Sequence, residues 1–214
     1  MRLQFGPPPV DSAFAPASEG WNKLREPGPI GLQLLAVPVM LVTVALLVPA
    51  WQACVPGVLQ GLSFTVHSES SDPADSAALV AAFTLLILVA TAIGMLIAIH
   101  ELLHAVAFPA RGTRFIGVWP TRLLFYAAYH GPMLRNRFLW VMVVPFLVLT
   151  IAPLALAAIL RTSHALVAAT SILNGAFACG DLVGIALVAS QVPANAEVRN
   201  QGWQTWWRRG MTNV

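Results

Sequence analysis

The sequence predicts an all-α membrane protein of four transmembrane helices, with a small β-hairpin on the cytoplasmic side as its one non-helical feature. Three observations carry this. Hydrophobic residues make up 57% of the chain and charged residues 10%, against about a quarter charged in ordinary soluble domains. The apolar residues fall in runs approaching or exceeding the roughly 20 residues that cross a bilayer. Lys and Arg are confined almost wholly to alternate connections between those runs. The formal charge of +3 is spread between spans and not gathered on one polar domain, which argues against a nucleic-acid partner. Cys54 in a polar loop and Cys179 in a span do not read as a disulfide framework.

Residues 1–29 hold Pro7, Pro8, Pro9 and scattered charges without the apolar stretch of a cleavable signal peptide, and are expected to remain as a cytoplasmic segment. The first span runs over residues 31–48, with Pro38 as a kink and Pro49 closing it. Residues 50–76 turn polar and predict an outer loop, with Glu69, Asp72 and Asp75 but no Lys or Arg. The second span extends from Ala77 to just before Pro109, about 30 residues, so part of it should tilt or protrude. In the following connection, residues 114–119 and 123–129 are rich in aromatics and suited to pair as a hairpin around Pro120, Thr121 and Arg122. The third span covers 138–160, bent by Pro145 and Pro153, and the fourth covers 165–192 with Asn174, Gly175, Gly180, Asp181 and Gly184 inside it. The chain therefore divides into a cytoplasmic segment 1–29, a four-span membrane domain 30–192 and a cytoplasmic tail 193–214. Trp203, Trp206, Trp207, Arg208 and Arg209 of the tail suit the headgroup layer.

Orientation follows from the basic residues. Arg2, Lys23 and Arg25 precede the first span; Arg111, Arg114, Arg122, Arg135 and Arg137 follow the second; Arg199, Arg208 and Arg209 follow the fourth; Arg161 stands alone on the other side. Both termini are expected in the cytoplasm of a multi-pass protein of the inner (plasma) membrane.

The chemistry sits late in the second span, in His100-Glu101-Leu102-Leu103-His104. Side chains four apart share a helix face, so His100 and His104 are placed to hold one tetrahedral zinc, with Glu101 beside them as general base for a metal-activated water. Placing a charged residue centrally in lipid costs roughly 2.5–3.5 kcal/mol unless it faces a cavity, a metal or a partner, so these residues call for an explanation. A catalytic zinc needs a third protein ligand. Ala107 and Ala110 stand where a longer His-rich motif would put Gly and His, and no Glu follows until Glu197, which leaves Asp181. Gly180 and Gly184 are expected to let span four approach span two closely. Residue counting leaves the His-Glu segment and Asp181 about 10 Å apart in depth, which tilt or a shifted boundary must absorb.

The His100 to His104 motif in one span, followed by Asn174-Gly175-Ala176-Phe177-Ala178-Cys179-Gly180-Asp181 in a later one, resembles the site-2 protease architecture. The likeness is closer still to a bacterial membrane zincin peptidase family that is a domain of unknown function, and it covers about residues 77–192. The resemblance implies His100, His104 and Asp181 as zinc ligands, Glu101 as base and Asn174 as a substrate-positioning or oxyanion-stabilising amide. It also implies a membrane protein or peptide as substrate. The prolines usual in the Asn-to-Asp element are missing here, and Leu182 stands where a Gly should follow the Asp. A metal-binding transporter or a non-catalytic scaffold for membrane helices would use the same buried polar residues differently. His130 reads as an interfacial loop residue, with a replacement ligand or an acid near the site as its alternative, and the arginines of the 110–137 connection as topology anchors rather than substrate clamps. His164 is expected on the opposite side of the membrane and His67 in the outer loop, so neither joins the cluster.

Overall fold

The computed structural model describes residues 1–16, 18–62 and 76–210. Helix α1 (Pro29–Cys54) starts with proline in its first turn, where a missing N–H leaves no bond unmade. It continues through Pro38 and Pro49, so the stop expected at Pro49 does not occur. That proline removes a single intrahelical bond, and two residues later Trp51 is fully buried with its indole N–H donating to Ser171 Oγ at 3.0 Å, which holds the last turn in place. Beyond a 3-10 turn at Val58–Leu62, the rest of the polar stretch, His67 included, lies outside the described residues.

Helix α2 (Ser76–Ala107) matches the second predicted span. Helix α3 (Arg135–Phe146), a π-helical turn (Leu147–Ile151) and α4 (Ala152–Leu160) form one run over the third, with Pro145 and Pro153 flanking the π turn. The fourth is broken: α5 (Ala165–Phe177) and α6 (Cys179–Gln191) meet at Ala178 with a bend of 43°. By length and composition α1, α2 and the α3–α4 run are able to cross a membrane, and the bent α5–α6 pair makes a fourth if it counts as one span.

The β-structure exceeds the single hairpin that the sequence suggests. That hairpin is present, β3 (Thr113–Trp119) and β4 (Leu124–His130) pairing antiparallel around a 3-10 turn at Pro120–Arg122. The chain's first residues, β1 (Arg2–Phe5), add to β3 in parallel. A second sheet has the order β2 (Asn22–Lys23), β7 (Gln204–Arg209), β6 (Ala196–Gln201), β5 (Met133–Leu134). Both terminal segments thus supply strands. Strand β2 has only two residues and β1, though it alternates polar and apolar over Arg2–Phe5, only four, and their partners lie more than a hundred residues away, so nothing local says what they pair with. In the tail, Gly202 at φ 57° in the tight turn between β6 and β7 is the signal that the tryptophans obscured.

Two apolar clusters bracket the helices. At the sheet end, Leu24, Phe108, Tyr129, Phe138, Val188 and Val198 pack together, tying the N-terminal segment, α2, β4, α3, α6 and β6 into one core. At the far end Trp51, Val58, Ala157 and Ala168 join α1, α4 and α5. The depth mismatch is resolved by α2 itself: between Leu79 and Met95 only Leu85 and Ile93 are even half-buried, so the first half of α2 stands clear of the bundle, while its second half packs on α3, α5 and β4 and meets Asp181 of α6. Close approach occurs at Gly175, not at Gly180 or Gly184. A Cβ at Gly175 would overlap Leu47 and lie 3.3 Å from Thr43 and Thr150 methyls, whereas one at Gly180 would meet nothing and one at Gly184 only Met142 Sδ at 3.9 Å. Gly175→Leu is therefore expected to destabilise the fold by about 1–3 kcal/mol through overpacking, read as an earlier midpoint in denaturation, with Gly180→Ala near neutral.

Candidate metal centre

His100 and His104 lie one turn apart on α2, both buried, with ring centroids 4.9 Å apart and planes at 77°. Asp181 comes from the first turn of α6, just past the break at Ala178, where the helix N-terminus favours a carboxylate. Its Oδ2 lies 3.0 Å from His100 Nε2 and 3.3 Å from His104 Nε2. The three potential ligand atoms fall within 4.8 Å of one another, the only such group of His, Cys, Asp or Glu among the described residues. The sequence-predicted ligand trio is thus brought to one point by two helices.

The other nitrogen of each imidazole shows what the trio is built for. His100 Nδ1–H donates to Asn174 Oδ1 at 2.9 Å, and His104 Nδ1–H donates to the Val141 carbonyl at 2.9 Å. The second bond exists because of a proline. In a regular helix Val141 C=O would accept from the N–H of residue 145, but Pro145 has none, so the carbonyl is free for the histidine. With each Nδ1 facing an acceptor, the proton of a neutral imidazole sits there and the Nε2 lone pair points inward. Two such lone pairs and an aspartate oxygen then converge with no hydrogen among them, an arrangement that a divalent cation satisfies. Glu101 fits the same purpose: it is buried beside the trio, facing the Ala127 backbone of β4, and its Oε2 has no hydrogen-bond partner.

Asn174 takes a different place from the one the resemblance implies. It is fully buried, and its amide nitrogen donates to the Pro145 carbonyl at 3.1 Å and to Thr150 Oγ1 at 3.0 Å, so both hydrogens are used and none is left for a substrate oxyanion. Thr150 in turn donates to the Ser171 carbonyl at 3.1 Å, and Ser171 Oγ, itself the acceptor for Trp51, donates to the Thr150 carbonyl at 3.0 Å. A buried polar chain therefore runs from α1 through α5 and the π turn to His100. Sequence reasoning missed Thr150 and Ser171 and took Pro145 only as a bend; the available signal was polar residues inside otherwise apolar spans, which in lipid must be satisfied within the protein. Asn174→Ala is expected to weaken zinc binding by about 10–100-fold, measured by chelator competition, because outer partners of ligating histidines carry effects of that size.

Glu101, His104 and Asp181 open on a cavity of about 210 Å³. Its lining includes Phe138, Met142 and Val188, residues 124–128 of β4, and Trp203 with Thr205. Among the described residues β4 is hydrogen-bonded to a strand on one side only. The remaining candidates lie elsewhere. His130 packs on Phe115 and bonds to the Pro9 carbonyl, and His164 caps the start of α5. Arg137 and Arg135 donate to the carbonyls of Ala107 and Ala189 at the ends of α2 and α6, and Arg114 to that of Pro109, so these arginines tie down helix ends and the adjoining loop.

Residues 93–196, about half the chain, match the model of a family described as "Putative zincin peptidase". The matched stretch begins seven residues before His100 and takes in Asp181. Zincins are zinc peptidases, so the similarity and the donor set agree on zinc as the metal. No curated protein and no solved structure matches the chain.

Proposed function

We propose that this chain is a multi-pass plasma-membrane zinc peptidase of the site-2 protease kind, hydrolysing peptide bonds of membrane-associated substrates with Glu101 as general base. The observation that carries the reading is the convergence of the His100 and His104 lone pairs on Asp181 beside an unpartnered, buried Glu101 oxygen. Zinc held by the trio would supply a Lewis acid that activates water at neutral pH and polarises the scissile carbonyl. Glu101 accepts the water's proton on its carboxylate and passes it to the leaving amine. Asn174 and the Val141 carbonyl act as positioning groups that fix both imidazoles in the ligating tautomer.

Topology supports a membrane site. Strand β2 before α1, strands β3 to β5 between α2 and α3, and strands β6 and β7 after α6 lie together, since β2 pairs with β7 and β5 with β6. The helices must therefore make two round trips, which suits four crossings with both termini on the side that carries all the basic residues but Arg161. The unpaired side of β4 faces the cavity, where an unwound substrate segment would pair with it in extended form.

Metal removal tests the reading. Purified protein treated with 1,10-phenanthroline should lose cleavage of quenched-fluorescent hydrophobic peptides, and stoichiometric zinc should restore it. A preparation that binds no zinc at any concentration, or cleaves equally without it, refutes the assignment.

A further inference from the structure

Among the described residues, the three most exposed large hydrophobic side chains are on no helix. They are Leu123 at 88%, Leu3 at 85% and Phe5 at 83%. Strand register groups the first strand's pair: Leu3 lies in a row with Ile116 and Ala127, and Phe5 two rows on with Val118 and Phe125, so these residues share one face of the β1-β3-β4 sheet, and Leu123 sits in the turn just before β4. One end of that face is covered, where Tyr129 stacks on Phe108, just past the end of α2, at 5.5 Å. The opposite face is closed by the chain itself, Tyr126 donating its hydroxyl to the carbonyls of Gly6 and Pro7 at 3.1 and 3.2 Å. On that first face Ala127 packs against the sheet-end core and Phe125 lines the cavity, while Leu3 and Phe5 on the outer strand are left uncovered.

Its height along the bundle is set. Gln33, one turn inside α1, donates to the Arg122 carbonyl at the hairpin turn at 2.7 Å. Leu123 follows at φ 48° and is 88% exposed. The hairpin turn is thus held at the level of the first turns of α1, whose exposed side chains include Ile30, Leu34 and Leu35. Arg122 lies 5.7 Å over the Trp119 ring, the aromatic and basic pairing suited to a headgroup layer.

We infer that this sheet face, with Leu3, Phe5 and Leu123 foremost, docks into the bilayer leaflet that the helices enter, so that the first strand of the chain is a membrane-contacting element. The inference rests on the membrane reading above and adds a contact which that reading does not require. It has a consequence for the site: lipid would set the height of the sheet, and with it the position of the β4 wall against Glu101.

Nitroxide labels at Leu3→Cys, Phe5→Cys and Leu123→Cys, in a Cys54→Ser and Cys179→Ala background reconstituted in mixed phosphatidylcholine and phosphatidylglycerol vesicles, test this. Power saturation compares collision with oxygen, which concentrates in lipid, and with a water-soluble nickel chelate. A label at the exposed loop residue Ser12 serves as the aqueous reference. The expected result is oxygen favoured over nickel at 3, 5 and 123, and the reverse at 12. Nickel access at 3, 5 and 123 equal to that at 12, in protein that resists alkaline extraction, overturns the docking while leaving the membrane reading intact. Poor access to both reagents with dipolar broadening overturns it in favour of a second copy on this face. Release of the protein by alkali overturns both.

Discussion

Asp181→Asn should abolish stoichiometric zinc binding while leaving the fold as stable as before, or more so. Without a cation, the wild-type trio sets a carboxylate oxygen against two imidazole nitrogens whose hydrogens are turned away toward Asn174 and Val141. An asparagine keeps the size and supplies amide hydrogens that both Nε2 lone pairs accept, so the metal-free protein gains a hydrogen-bond set it lacked, each bond contributing roughly 0.5–1.5 kcal/mol. Zinc loses its anionic ligand, and metal analysis should fall well below one ion per chain. The opposite hypothesis, that the trio is a buried ion pair between Asp181 and protonated histidine, predicts the reverse sign. Removing one partner of a buried pair typically costs 3–5 kcal/mol. Denaturation of both proteins in chelator, together with their zinc content, decides between the two.

Glu101→Gln should keep its zinc and lose cleavage by about 10²–10⁴-fold, the range that positioned proton transfer contributes. The carboxamide has the carboxylate's shape and fits the same buried place facing Ala127, so the helix and both histidines should hold their geometry. What disappears is a group able to accept a proton from water. Cleavage within tenfold of wild type would move the base elsewhere. Loss of zinc in this variant would make Glu101 a ligand, a role its position outside the convergent trio argues against. A transporter or scaffold would show no cleavage in either form.

Much of the centre was readable in the chain because its signals are local or exclusive. The spacing of His100 and His104 is a property of one helix, and Asp181 stands out because acids are costly in apolar spans. The hairpin of β3 and β4 was likewise visible, its strands and turn being contiguous. Asn174 was expected as a substrate-positioning amide, and its polar atoms are taken up by His100, Pro145 and Thr150. No sequence spacing says which of several buried polar groups an amide will meet.

By itself the sequence determined where the long apolar helices lie, the sided distribution of basic residues and the identities of a candidate metal-binding trio, since each depends on composition or on intervals within one element. Only the tertiary structure decided that the helix passes through Pro49, that Gly175 and not Gly180 is the point of close contact, and that both termini pair into sheets over the cavity. Those outcomes turn on distant surfaces meeting. A free Val141 carbonyl becomes a histidine's partner only because α3 packs against α2, and that packing is a property of the whole fold.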